Sequence, residues 1–140
     1  MRITDESCWD IIWVARDAHD HVALCRSMGG EIPGFVRSDA GITLLIAESL
    51  SLPKAIDRQR RLPFDLDKYT SLYGFYCFYA DDPYQTIYRS VARPPKPRKF
   101  SELPERARLL MEENVLPFNI GHTVSFRLEN GLFLDITEEK

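Results

Sequence analysis

The densest group of residues able to do chemistry is Asp17, His19, Asp20 and His21. Two imidazoles and two carboxylates within five positions are types that hold a divalent metal. If this stretch is extended, His19 and His21 point to one side. The same residues are also turn formers, and a solvated hairpin tip uses that composition. The tip is the expectation, and no metal site is assigned. The third histidine, His122, and a cysteine such as Cys25 together have the types of a nucleophile and its base. No glycine-flanked nucleophile turn and no orienting carboxylate accompanies them in sequence, so no catalytic set is expected. Gly29-Gly30-Glu31-Ile32-Pro33-Gly34 resembles a phosphate loop only in its glycines. It lacks the lysine and the Ser/Thr of that motif, and no cofactor is implied.

Two basic runs stand out: Arg58, Arg60 and Arg61, then Arg89, Arg93, Lys96, Arg98 and Lys99. The second is interleaved with Tyr84, Tyr88 and Phe100. Basic residues among aromatics bind single-stranded nucleic acid, but charges also blunt sheet edges. The formal net charge of -3 weighs against a nucleic-acid binder, which normally carries a basic excess. Protein partners are the better expectation. Tyr69, Tyr73 and Tyr84 lie near expected strand ends, where aromatics serve as interface anchors. Asp81 and Asp82, with the loop residues Gly29, Gly30 and Glu31, complete the expected contact surface.

These residues need elements to position them. Trp9 to Ala15 (WDIIWVA) and His21 to Cys25 (HVALC) are strand-like and flank the polar tip, which makes a hairpin. Met28 to Gly34 holds three glycines and a proline and forms a loop. A helix is expected from about Ala40. There Ile42, Leu45, Ile46, Ser49 and Leu50 make a stripe, and Pro53 limits its end. Lys54 to Lys68 is a polar surface connection. Leu72 to Ala80 (LYGFYCFYA) is a central strand, and Tyr84 to Arg93 its antiparallel partner across Asp81-Asp82-Pro83. Pro94, Pro95 and Pro97 end the sheet there. Ser101 is the expected N-cap of a second helix, with Pro104 in its first turn and Leu103, Ala107, Leu110, Met111 and Asn114 on one face. Val124 to Leu128 and Leu132 to Ile136 flank Asn130-Gly131, a strong hairpin signal. The fold class is therefore α+β: an antiparallel sheet of about six strands built from hairpins, with two helices packed on it.

The bulk properties agree with one domain. The chain has 140 residues, 44% hydrophobic and 28% charged, an ordinary globular balance. A chain of this size buries about two-thirds of its unfolded surface without staples. Three cysteines cannot pair completely and match no zinc spacing, so reduced structural thiols are expected. Met1 to Asp10 has no apolar segment, and no apolar stretch approaches the roughly 20 residues that span a bilayer. A cytoplasmic location follows as an expectation.

Taken together, the aromatic opening strand, the Gly29 to Pro33 loop, Asp81-Asp82-Pro83, the run YRSVARPPKP (Tyr88 to Pro97) and SELPERARLL (Ser101 to Leu110) resemble small bacterial immunity proteins encoded beside polymorphic toxins. The resemblance covers the layout of most of the chain. It implies a protein that acts without chemistry of its own. Such a protein binds a cognate toxin, the product of an adjacent gene, in the cytoplasm and blocks it. The alternative is a small nucleic-acid-binding or ligand-binding regulatory domain.

Overall fold

The computed structural model describes residues 11–36, 73–82, 84 and 86–139. Six strands form one sheet in sequential order: β1 (Ile12–Arg16), β2 (Val22–Arg26), β3 (Tyr76–Tyr79), β4 (Ile87–Ala92), β5 (Thr123–Glu129) and β6 (Leu132–Glu138). One α-helix, α1 (Glu105–Met111), and 3-10 turns at Phe100–Glu102 and Ile120–His122 complete the elements among the described residues. The expected helix from about Ala40 lies outside them, as do Tyr69 and the basic run from Arg58 to Arg61.

The sheet is mixed rather than wholly antiparallel. β2 and β3 run parallel, with Ala23 opposite Tyr76 and Arg26 opposite Tyr79; all other neighbours are antiparallel. The reason is the length of chain between them. Parallel neighbours need a crossover of a dozen residues or more, and residues 27–75 supply it. Hairpin signals are local and do not report such a connection.

Alternation along β1 and β2 divides the interior into two clusters, because successive side chains leave opposite faces. Trp13, Ala15, Ala23 and Cys25 join Phe78, Tyr88, Phe126 and Leu128 on one face. Ile12, Val14, Val22, Leu24 and Cys77 join Leu103, Ala107 and Met111 on the other. α1 therefore covers the second face, with its Ala107 and Met111 fully buried. A register shift between Cys77 and Phe78, opposite Ala92 and Ser90, leaves Val91 as the extra residue. That bulge moves Ala92 to the second cluster while Tyr88 stays in the first, as an inserted residue must.

The start of α1 differs from expectation. Pro104 occupies the cap position, and Ser101 makes no cap hydrogen bond. The Ser101 hydroxyl instead donates to Asp20 Oδ2 at 2.6 Å, and its backbone N–H donates to Oδ1 at 2.9 Å. A carboxylate from the first hairpin binds the hydroxyl that the local sequence assigns to the helix as a capping acceptor. Beyond α1, an isolated parallel bridge joins Val115 to Arg16. The chain then buries Leu116, Phe118 and Ile120 in the first cluster on its way to β5.

Candidate functional site

Strand register sorts the loops into two ends. At the first end lie the β1–β2 turn, the entry to β3, the exit of β4 and the entry to β5. At the second lie the loops after β2 and β3 and the β5–β6 turn.

The first end gathers most of the residues with chemical potential and uses three of them, Asp17, Asp20 and His21, for structure. Asp17 is 1% exposed. Its Oδ1 accepts the backbone N–H groups of His19 and His21, both at 2.9 Å. Its Oδ2 accepts the N–H of Ile120 at 2.7 Å and faces His21 Nδ1 at 2.9 Å. A carboxylate offers about four lone-pair directions, and these four contacts use them. Asp17 has none left for a metal ion, and no cluster of three or more potential metal ligands exists among the described residues. Asp20, at a left-handed φ of 69°, is bound by Ser101. The Ser101 hydroxyl bond holds the Asp20 carboxyl below its ordinary value, against a smaller opposing effect of burial.

The His21 ring is packed as tightly as it is bonded. It meets Tyr76 edge-on at 5.5 Å. On its other flank a Cβ at Gly121 would lie 2.8 Å from Cε1 and 2.9 Å from Nε2, so only glycine fits there. Burial raises the Tyr76 phenol, partly countered by Arg93. Arg93 itself pairs with Glu139 at 3.4 Å. Tyr76 and Gly121 lie 55 and 100 residues from His21, and no local pattern announces them. The thiol of Cys25 is fully buried, and burial pushes its pKa well up, reinforced by Cys77. A thiol in that state is not the anion a nucleophile needs. Tyr73 also belongs to this end, one residue before Gly74. There a φ of 94° and a Cβ position 2.4 Å from Arg98 Cβ exclude side chains.

The second end brings together six of the eight residues expected to contact a partner. Gly29 adopts a φ of 86°, and the Gly30 N–H donates to the Ser27 carbonyl at 2.7 Å. The Glu31 carboxylate accepts the Gly131 N–H of the β5–β6 turn at 3.2 Å. The Glu31 carbonyl accepts the Tyr88 hydroxyl at 2.5 Å, and that hydroxyl accepts the Trp13 indole N–H at 3.2 Å. The loop is thereby tied to β1, β4 and the last hairpin.

Asp81 is exposed and lies 4.0 Å from Arg89. Asp82 differs from its expected role: it is 6% exposed and organises the turn, accepting the Tyr84 N–H at 3.1 Å and the Ile87 N–H at 2.8 Å. Tyr84 is 85% exposed. Its backbone is anchored by a buried carboxylate while its ring stands in solvent. Of the basic run, Arg89 and Arg93 face carboxylates, so part of its charge is already balanced.

No protein-family model, curated protein or solved structure matches this chain. Among the described residues no helix is long and apolar enough to cross a membrane.

Proposed function

We propose that this chain is an inhibitory protein-binding module of the immunity type, which neutralises a cognate protein toxin by occupying it. The observation that carries the reading is the presentation of Tyr84. An aromatic ring 85% exposed on a backbone fixed by Asp82 loses little freedom on docking. Pre-organised aromatics of this kind supply a large part of binding energy at interfaces. The first end agrees with the same reading: Asp17, Asp20 and His21 are already committed to contacts that hold the fold.

The test is co-expression with the product of the adjacent gene. The expected result is a stable complex and survival of cells that the gene product otherwise kills. A purified chain that neither binds that product nor protects against it sinks the proposal. Tyr84→Ala refines the test, since it should weaken the complex while leaving the fold intact.

A further inference from the structure

The two outer edges of the sheet are finished differently. The edge of β1 is occupied at its C-terminal half by the chain after α1. Arg16 donates its N–H to the Asn114 carbonyl at 2.9 Å, and Leu116 donates to the Arg16 carbonyl at 2.7 Å. The Asn114 side-chain amide donates to the Val14 carbonyl at 3.0 Å. The edge of β6 has no strand beyond it among the described residues. β6 is exposed along most of its length, with Leu132 61% exposed and Ile136 also in solvent.

An unpaired edge offers backbone donors and acceptors to another chain. Proteins usually blunt such an edge with lysine, proline or a bulge. β6 contains neither lysine nor proline. It has a bulge, marked by Asp135 at a φ of 50°, which leaves Leu132–Leu134 as a regular run and an acidic end beyond it.

Charge decides what this edge attracts. From Thr123 to Lys140 there are two cations, Arg127 and Lys140, against four carboxylates: Glu129, Asp135, Glu138 and Glu139, a net -2 in a chain of net -3. The last hairpin is therefore acidic, with Glu139 shared with Arg93. Arg127 is already engaged by Glu129 and by Asp135. A second copy of this edge would bring like charges together, which opposes pairing. A strand bearing lysine or arginine meets complementary charge, which steers association and sets register.

We infer that the outer edge of β6 is a docking strand, taking an extended cationic segment of the partner protein as an added strand of the sheet. Apolar residues alternating with the cations in that segment would pack beside Leu132 and Ile136. The inference rests on the protein-binding reading above and specifies which surface and what partner chemistry it uses.

The experiment is amide hydrogen exchange on the intact chain, read by NMR. The probe is an end-blocked synthetic peptide of about twelve residues alternating lysine with valine or threonine, long enough for one strand. The expected result is slowing of exchange within Leu132–Glu138 by about tenfold, lost as salt rises. A peptide with glutamate in place of lysine should leave exchange unchanged, and Glu138→Lys with Glu139→Lys should abolish the effect of the lysine peptide. Both positions are exposed, and the pair that Glu139 makes with Arg93 is a surface one whose loss leaves the fold in place; the unchanged spectrum of the variant away from β6 checks this. Protection at another surface, protection that survives the double substitution, or no protection at all overturns the inference. So does self-association through β6 in sedimentation.

Exchange in the toxin complex separates the two proposals. A complex that leaves β6 unprotected overturns the docking strand and keeps the binding reading. Peptide protection at β6 with no toxin complex does the reverse.

Discussion

The two ends of the sheet have opposite relations between composition and use. The first end holds Asp17, His19, Asp20, His21 and His122, the types from which active sites are built. Its central carboxylate makes four short contacts inward, and the His21 ring is closed in by Gly121 and Tyr76. The second end holds glycines, a tyrosine and two aspartates, with no catalytic character. Yet it leaves a large aromatic side chain in solvent on an anchored backbone. Reactive residue types mark function only where their hydrogen-bonding capacity remains unspent. Here Asp17, Asp20 and His21 are scaffolding, and the plainer end presents Tyr84 to solvent.

That contrast can be broken by substitution, and the effects on folding stability form a series. Asp17→Ala strips a buried acceptor from four partners and should cost about 4 kcal/mol, since several buried donors lose their bond at once. Chemical denaturation measures it, and a loss below about 1 kcal/mol would mean that the first end is not scaffolding. Tyr88→Phe removes the hydroxyl linking Trp13 to Glu31 and should cost about 2 kcal/mol. The same substitution should raise exchange at Gly30 and Gly131, because the loop loses a tether.

Ser101→Ala should cost less, below about 1 kcal/mol near neutral pH, and its effect should depend on pH. Asp20 is held below its ordinary value of 3.8 mainly by the Ser101 hydroxyl. A depressed carboxyl stabilises the fold fully above its unfolded pKa. That contribution disappears as pH falls through the folded value. The gap between wild type and Ser101→Ala should therefore be constant above about pH 3.8 and close as pH falls below it; a gap that stays open in acid would refute the assignment. Smallest of all on stability is Tyr84→Ala, expected within about 0.5 kcal/mol of wild type. Its effect belongs to binding, where loss of an anchor costs about 2 kcal/mol, or roughly thirtyfold in affinity. Calorimetry with the captured partner reads it directly.

Much of the scaffold was legible because its signals are local. Asn130 and Gly131 take φ values of 53° and 78°, the pair of positive angles that a two-residue turn demands. β4 ends at Ala92, ahead of Pro94 and Pro95. The polar stretch from Asp17 to Asp20 is the tip of the first hairpin. The misses involve partners far along the chain. The parallel pairing of β2 with β3 follows a long connection rather than a turn. Ser101 gives up its cap position to a carboxylate 81 residues away. The burial of Asp17 depends on Ile120, 103 residues on. Asp82 is the instructive exception. Its bonds to Tyr84 and Ile87 are short-range, and an aspartate two residues before an exposed tyrosine already suggests an Asx-type turn that holds the ring outward.

The asymmetry between β1 and β6 also sets a valence. A sheet open at both edges behaves like a bifunctional monomer and extends without limit, as cross-β assemblies do. Segment 114–116 occupies one of those edges here, so through its described sheet the molecule is monofunctional. Among the described residues it can accept a strand at β6, while segment 114–116 stands in the way of growth at the β1 side. A ladder cannot then extend freely from both edges of one molecule, which lowers the hazard of an exposed, lysine-free edge strand.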